Sequence, residues 1–273
     1  MLEKIIYYNH KGEALCFGSD GLYANENDLR DFSNKYTSKN GKIVAFNKGI
    51  VEKSIPIIIK ADTPERAAEL KNKITEFADR DIFALQPGKI VINDYYMQGY
   101  LHENIKSNYL IDVAYSEHKL KFVTDYPFWV KEHPFYFKAS EITSTNNKRY
   151  ANKYAYRYAN GLNNTYITNE HYAECNFHMN IYGPCVKPSV YIGGHEYHVD
   201  AILEAGERLE IDSTAETVTK VMNSGNRVNM FHYRSFGNTV FQPIQTGKQN
   251  IFWDGKFDFD LILFEERSEP KWS

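Results

Sequence analysis

The sequence predicts a mainly β protein of two domains, an α+β unit with a single helix followed by an all-β sandwich. Three observations predict it. Tyr, Phe and Trp make up 15% of the 273 residues, and these side chains favour strands and contact surfaces. Only one stretch has helical periodicity. The C-terminal half alternates short apolar runs with Gly- and Asn-rich turns, the pattern of a sandwich. The length suits two domains of about 130 residues each. With 42% hydrophobic and 25% charged residues, the chain can bury a core in each, which excludes disorder.

In the first region, Lys42-Ile43-Val44-Ala45-Phe46 and Ser54 to Lys60 read as paired strands. The helix follows. Thr63 is placed to cap it, Pro64 suits the first turn and Glu65 adds favourable charge there. Ala67, Leu70, Ile74 and Phe77 recur at helical spacing, so one apolar stripe lies on a sheet. The helix is expected to end near Asp79, with Ile82 to Leu85 resuming as a strand. A turn at Gln86-Pro87-Gly88-Lys89 leads into Ile90-Val91-Ile92, and Tyr95 to Tyr100 and Tyr109 to Val113 continue a meander. Leu120 to Asp125 alternates with period two until Tyr126-Pro127-Phe128-Trp129 breaks it. His133-Pro134 then reads as an extended exit, which places the domains at 1–133 and 134–273.

The second region contains no defensible helix. Ala151 to Ala159 alternates, with Tyr154, Tyr156 and Tyr158 on one face. Short strands recur at Val190 to Ile192, Glu196 to Val199, Arg208 to Ile211 and Thr217 to Val221. Phe257 to Phe264 is the clearest strand, with every odd position apolar.

A net charge of -3 argues against a generic nucleic-acid binder. A mean hydropathy of -0.54 argues against a membrane protein, and the longest apolar runs, such as Ile55 to Ile59, have only strand length. Glu3 and Lys4 interrupt the start, so no signal-peptide core is expected there. Three sparse cysteines, Cys16, Cys175 and Cys185, do not form a disulfide framework. Synthesis in a reducing cytosol is the expectation.

Catalytic constellations are weak. His195 and His198 in Gly193-Gly194-His195-Glu196-Tyr197-His198 are spaced i, i+3 in a strand context, which sends their rings to opposite faces. A zinc-protease motif needs i, i+4 on a helix. Cys175, His178 and Cys185 form a possible soft-ligand trio without the second pair that would make it specific. Asp258 and Asp260 share a strand face, and a glycosidase pair would need a cleft as well. No phosphate loop, nucleophile elbow or dinucleotide motif occurs. The basic-aromatic stretch Lys148 to Tyr158 could stack single-stranded nucleic acid, although its alternation is that of an exposed sandwich strand. No catalytic, cofactor-binding or metal-binding residue is assigned, and no enzyme activity is expected.

Across residues 25–271 the ordered pieces resemble the distal tail (Dit) proteins of siphophages, the phage tail and baseplate hub family. The resemblance rests on Ile43-Val44-Ala45-Phe46, Glu52-Lys53-Ser54-Ile55-Pro56-Ile57, the helix, Asp81, Gly88 and Leu120 to Trp129. It continues through Gly183-Pro184, Pro188 to Ile192, Gly206 to Asp212, Phe241 to Gly247, Asn250 and the strand from Phe257 to Glu266. It implies a virion structural protein of the tail tip or baseplate, made in the host cytoplasm. The N-terminal domain would be a β-sandwich or split-barrel that forms a hexameric ring around the tail channel. The C-terminal domain would be a galectin-like or carbohydrate-module-like sandwich projecting outward.

The implied partners are the tail tube, tape measure and tail-associated tip proteins, with a receptor-binding protein as a further attachment, and DNA only as passing cargo. No cofactor is implied. The alternative is a carbohydrate-binding host-recognition module in the second domain. Tyr191, Tyr197, Phe231, Tyr233 or Trp253 would supply its aromatic platform, with burial the ordinary state of each. A glycoside hydrolase is a third reading, recognisable by a carboxylate pair in a cleft.

Overall fold

The computed structural model describes residues 4–109, 114–139 and 165–272. The expected strands at Tyr109 to Val113 and Ala151 to Ala159, and the basic-aromatic stretch, lie wholly or almost wholly outside the described residues. The chain divides into two compact units, Met1–Lys131 with Glu266–Ser273, and Glu132–Glu265. Sequence reading gives all of 134–273 to the second domain, whereas the segment from Glu266 onward belongs to the first unit. Side chains hold it there. Tyr126 donates to Glu266 at 2.7 Å, Lys48 to Ser268 Oγ at 2.8 Å, and Arg30 to the Pro270 carbonyl at 2.7 Å.

In the first unit the strands are β1 (Ile5–Tyr8), β2 (Ala14–Phe17), β3 (Leu22–Ala24), β4 (Lys35–Lys39), β5 (Lys42–Asn47) and β6 (Val51–Lys60). The helix α1 (Pro64–Ala84) precedes β7 (Gly88–Ile92), β8 (Tyr95–Ser107), β9 (Tyr115–Thr124) and β10 (Trp129–Phe137), which carries the chain into the second unit. Two antiparallel sheets share β8. Its first half pairs with β7, continuing to β1 and β2, and its second half pairs with β9, continuing to β6 and β3. Tyr7, Phe17, Ile57, Ile90, Phe122 and Trp129 meet between the sheets in one core.

The helix start matches its sequence signals: Thr63 Oγ1 accepts from the Arg66 amide at 3.2 Å, and Pro64 opens the first turn. The helix ends later than expected, at Ala84, so Ile82 to Ala84 is helical and the next strand is β7. The apolar stripe of Ala67, Leu70, Ile74 and Phe77 continues to a buried Asp81, a residue that reads as a helix's solvent side. The expected pairing of Lys42 to Phe46 with Ser54 to Lys60 is also overturned. Asn40 and Gly41 both have positive φ (52° and 74°), as a two-residue hairpin turn requires, and they fold β5 back onto β4. β6 meanwhile uses its two edges for β9 and β3.

The second unit contains β11 (Thr165–Asn169), β12 (Asn176–Tyr182), β13 (Cys185–Val186), β14 (Ser189–Ile192), β15 (His195–His198), β16 (Ile202–Leu203), β17 (Arg208–Asp212), β18 (Thr217–Val221), β19 (Arg227–Asn229), β20 (Gly247–Phe252) and β21 (Phe259–Arg267). One sheet runs β21-β12-β17-β18-β19 and the other β11-β20-β14-β15. Phe177, Leu209 and Leu261 from the first meet Ile167, Val190 and Ile251 from the second in a shared core, which makes this unit a β-sandwich. Among the described residues no helix is long and apolar enough to cross a membrane.

Candidate assembly surface

The most unusual surface is the β4–β5 hairpin. Among the described residues its strands pair only with each other, and every residue in both is exposed. In an antiparallel pair, opposed residues share a face. Tyr36 lies opposite Phe46, and the two aromatic residues are 65% and 66% exposed. Ile43 and Val44 are exposed as well. Lys35, Lys39 and Lys42 flank them, with no acidic residue between positions 35 and 47. An isolated two-stranded hairpin is marginal in water, so an aromatic pair on a bare one indicates a surface made to be covered.

A second feature of the same unit is a groove of about 540 Å³ between β2 and β3, lined by Ile5, Cys16, Phe17, Tyr23, Ala24 and Glu26 among others. A tight turn joins the two strands, with the Gly18 amide donating to the Leu22 carbonyl at 2.7 Å. Among the described residues each is an edge: β2 pairs only with β1, and β3 only with β6.

The residues that sequence reading weighed for chemistry are separately engaged. His195 Nε2 lies 2.8 Å from the Thr239 carbonyl, and His198 Nδ1 3.1 Å from that of Pro188. The Cys175 thiol is buried and donates to Asn169 at 3.3 Å. Hydrogen bonding to Asp212 pushes the His178 imidazole above its usual range. Burial pushes the Cys185 thiol up to about 11, which keeps it protonated at neutral pH. The trio therefore does not converge. Asp258 accepts from the Ala139 amide at 2.6 Å and Asp260 from Tyr182 at 2.7 Å.

One cluster that sequence reading missed is Glu52, His102 and Glu103, whose ligand atoms approach within metal-binding range. A bulge in β8 after Leu101 sets His102 and Glu103 together. Lys121 occupies the middle, 3.2 Å from Glu52 and 2.6 Å from Glu103. Its ammonium supplies the positive charge that a cation would bring, and its hydrogen bond is the main reason Glu52 is held below the usual carboxylate range.

The aromatic candidates for a sugar platform divide. Tyr197 and Trp253 are buried, with Tyr197 donating to the Gln242 carbonyl at 2.8 Å and Trp253 to that of Phe257 at 3.2 Å. Phe231 is half-buried beneath the Arg234 guanidinium. Tyr233 is exposed. Tyr191, 40% exposed, donates to Glu196 at 2.6 Å and borders a cavity of about 760 Å³ with Pro184, Val186, Phe252 and Lys256.

No known family matches the chain by sequence, and no curated protein does either. Solved structures do match, over the full length. The Dit protein of phage SPP1, described as a paradigm of the hub adsorption apparatus of phages infecting Gram-positive bacteria, aligns with 98% of this chain and 100% of its own at a TM-score of 0.59 and 11% identity. A chain of the phage P2 baseplate in its activated conformation with calcium aligns at 0.64 and 13% identity, covering 99% of this chain and 100% of its own. The corresponding strontium structure gives 0.63 and 14%, with the same coverage. The chain has the fold of phage Dit and baseplate proteins.

Proposed function

We propose that the protein is a structural subunit of a phage tail tip or baseplate, a Dit-type hub in which six copies of the first unit form a ring. The ring would join the tail tube to the tail-associated tip protein, let DNA pass, and present the sandwich unit for further attachments. The exposed aromatic hairpin carries this reading, because it presents an apolar face that no described residue of this chain covers. The full-length likeness to SPP1 Dit and to the P2 baseplate chains supports it. So does the separate engagement of His195, His198, Cys175, His178, Asp258 and Asp260 in structural contacts. A ring built head to tail uses two different surfaces per subunit, and permanent interfaces of this kind place aromatics at their centres. Electron micrographs of the purified full chain are expected to average to a six-fold ring with an open centre. Class averages of single small particles, or of open filaments, would reject the ring.

A second reading has one observation in its favour: Tyr191 stands half-exposed beside a cavity of sugar-accepting size. It makes the sandwich a carbohydrate-binding host-recognition module. Glycan-array binding by the full chain that disappears in Tyr191→Ala would support it, and silence across the array would remove it.

A further inference from the structure

We propose that residues 268–272 act as a strap that holds both feet of the β4–β5 hairpin and keeps it poised for docking. The strap lies wholly within the first unit, and its consequence for assembly rests on the reading above. The burial pattern locates the feet. Every residue from 31 to 47 is exposed, and the two that bracket this stretch, Arg30 and Lys48, are partly buried. Both basic side chains reach the same short segment. Arg30 donates to the Pro270 carbonyl at 2.7 Å, pairs with Glu269 at 3.3 Å and lies 3.8 Å over the Trp272 ring. Lys48 donates to Ser268 Oγ at 2.8 Å and to the Pro127 carbonyl at 3.2 Å. Its ammonium also sits 4.3 Å over the Phe128 ring.

These contacts are sheltered ones. The Arg30 side chain is only 12% exposed, and burial lowers the Lys48 ammonium below its usual range. Charge-assisted bonds hold more firmly there than on an open surface. The outgoing foot has interior anchors as well, since Lys53 donates to the Asp28 and Asp31 carbonyls and the Trp129 indole to that of Leu29. On the return side the ladder with β9 begins only at Val51, which leaves Lys48 to fix the backbone before it. A cavity of about 170 Å³ is bounded by Phe32 and Ser33 from one foot, Lys48 and Val51 from the other, and Ser268. The feet are therefore not close-packed, and the polar holds at Arg30 and Lys48 set their spacing. A bare hairpin on two loose feet would swing, and docking would have to remove that freedom. The strap removes it when the chain folds.

Arg30→Gln with Lys48→Gln cuts both holds in the full chain. Amide hydrogen exchange is compared with and without this pair in a Tyr36→Ser, Phe46→Ser background, which takes docking out of the readout. The amides of β4 and β5 are expected to exchange on the order of tenfold faster when the holds are cut, while those of β6 and β9 keep their rates. Unchanged hairpin rates, or an acceleration shared by β6 and β9, would overturn the strap. With Tyr36 and Phe46 intact, the same two substitutions should raise the concentration at which light scattering shows assembly by on the order of tenfold. Assembly at the wild-type concentration would overturn the strap's part in docking. A wild type that stays monomeric would reject the assembly reading instead, and the exchange rates would still decide whether the strap holds the hairpin.

Discussion

The helix end around Asp81 and the β4–β5 hairpin break the usual sorting of residues in opposite directions. Asp81 is a carboxylate with 0% exposure. It accepts from the Tyr7 hydroxyl, from the His10 amide at 2.8 Å and from His10 Nδ1 at 2.6 Å. A carboxylate only accepts, so Nδ1 carries the proton, and burial keeps the Tyr7 hydroxyl protonated as a donor. The hairpin instead exposes aromatic residues. One anomaly is resolved inside the chain and the other stays open among the described residues, the contrast expected between a residue that serves folding and residues that, on the proposed function, serve assembly.

The largest effect on stability is expected at Asp81. Asp81→Ala leaves the Tyr7 hydroxyl and His10 without their buried acceptor and should cost about 3–5 kcal/mol in chemical denaturation. A loss below about 1 kcal/mol would mean that the clip is incidental. His118, buried in β9 between Ser116 and Asn104, comes next. Burial lowers its imidazole from 6.5 to about 4, so the unfolded chain binds the extra proton first. Stability is therefore full above about pH 6.5 and falls as the pH drops towards about 4, by on the order of 2–3 kcal/mol. Denaturation at stepped pH should show a shallower acid decline in His118→Gln than in the wild type. At the other end of α1, Thr63→Ala removes the cap and should cost about 1 kcal/mol.

The smallest stability effect is expected in the hairpin. Tyr36→Ser with Phe46→Ser should change the unfolding free energy of the isolated chain by less than about 0.5 kcal/mol. A large loss there would show that the face is already covered within the chain, and the contrast with Asp81 would collapse.

Much of the fold was legible because local chemistry carried it. Thr63 and Pro64 located the helix start, and strict alternation marked the end of β9 and β21. The helix end was hidden because a buried Asp81 looks like a solvent-facing residue until Tyr7 and His10, some 70 positions away, are brought against it. Strand pairing was misread for a similar reason. Nothing local tells Ser54 to Lys60 that its partner is β9, although Asn40-Gly41 was an available hairpin signal. The candidate surface was the least legible part. Ile43-Val44-Ala45-Phe46 reads the same buried or bare, and only the coordinates separate the exposed Tyr191 from the buried Tyr197 and Trp253.

The central claim is that the hairpin's aromatic face exists to be covered by another copy of this chain. Light scattering on the wild type and on the Tyr36→Ser, Phe46→Ser variant at matched concentration tests it most directly. The expected masses are about 190 kDa for the wild type, six copies of 31.8 kDa, and a single 31.8 kDa chain for the variant. A wild type that stays monomeric at high concentration, or a variant that assembles unchanged, would contradict it.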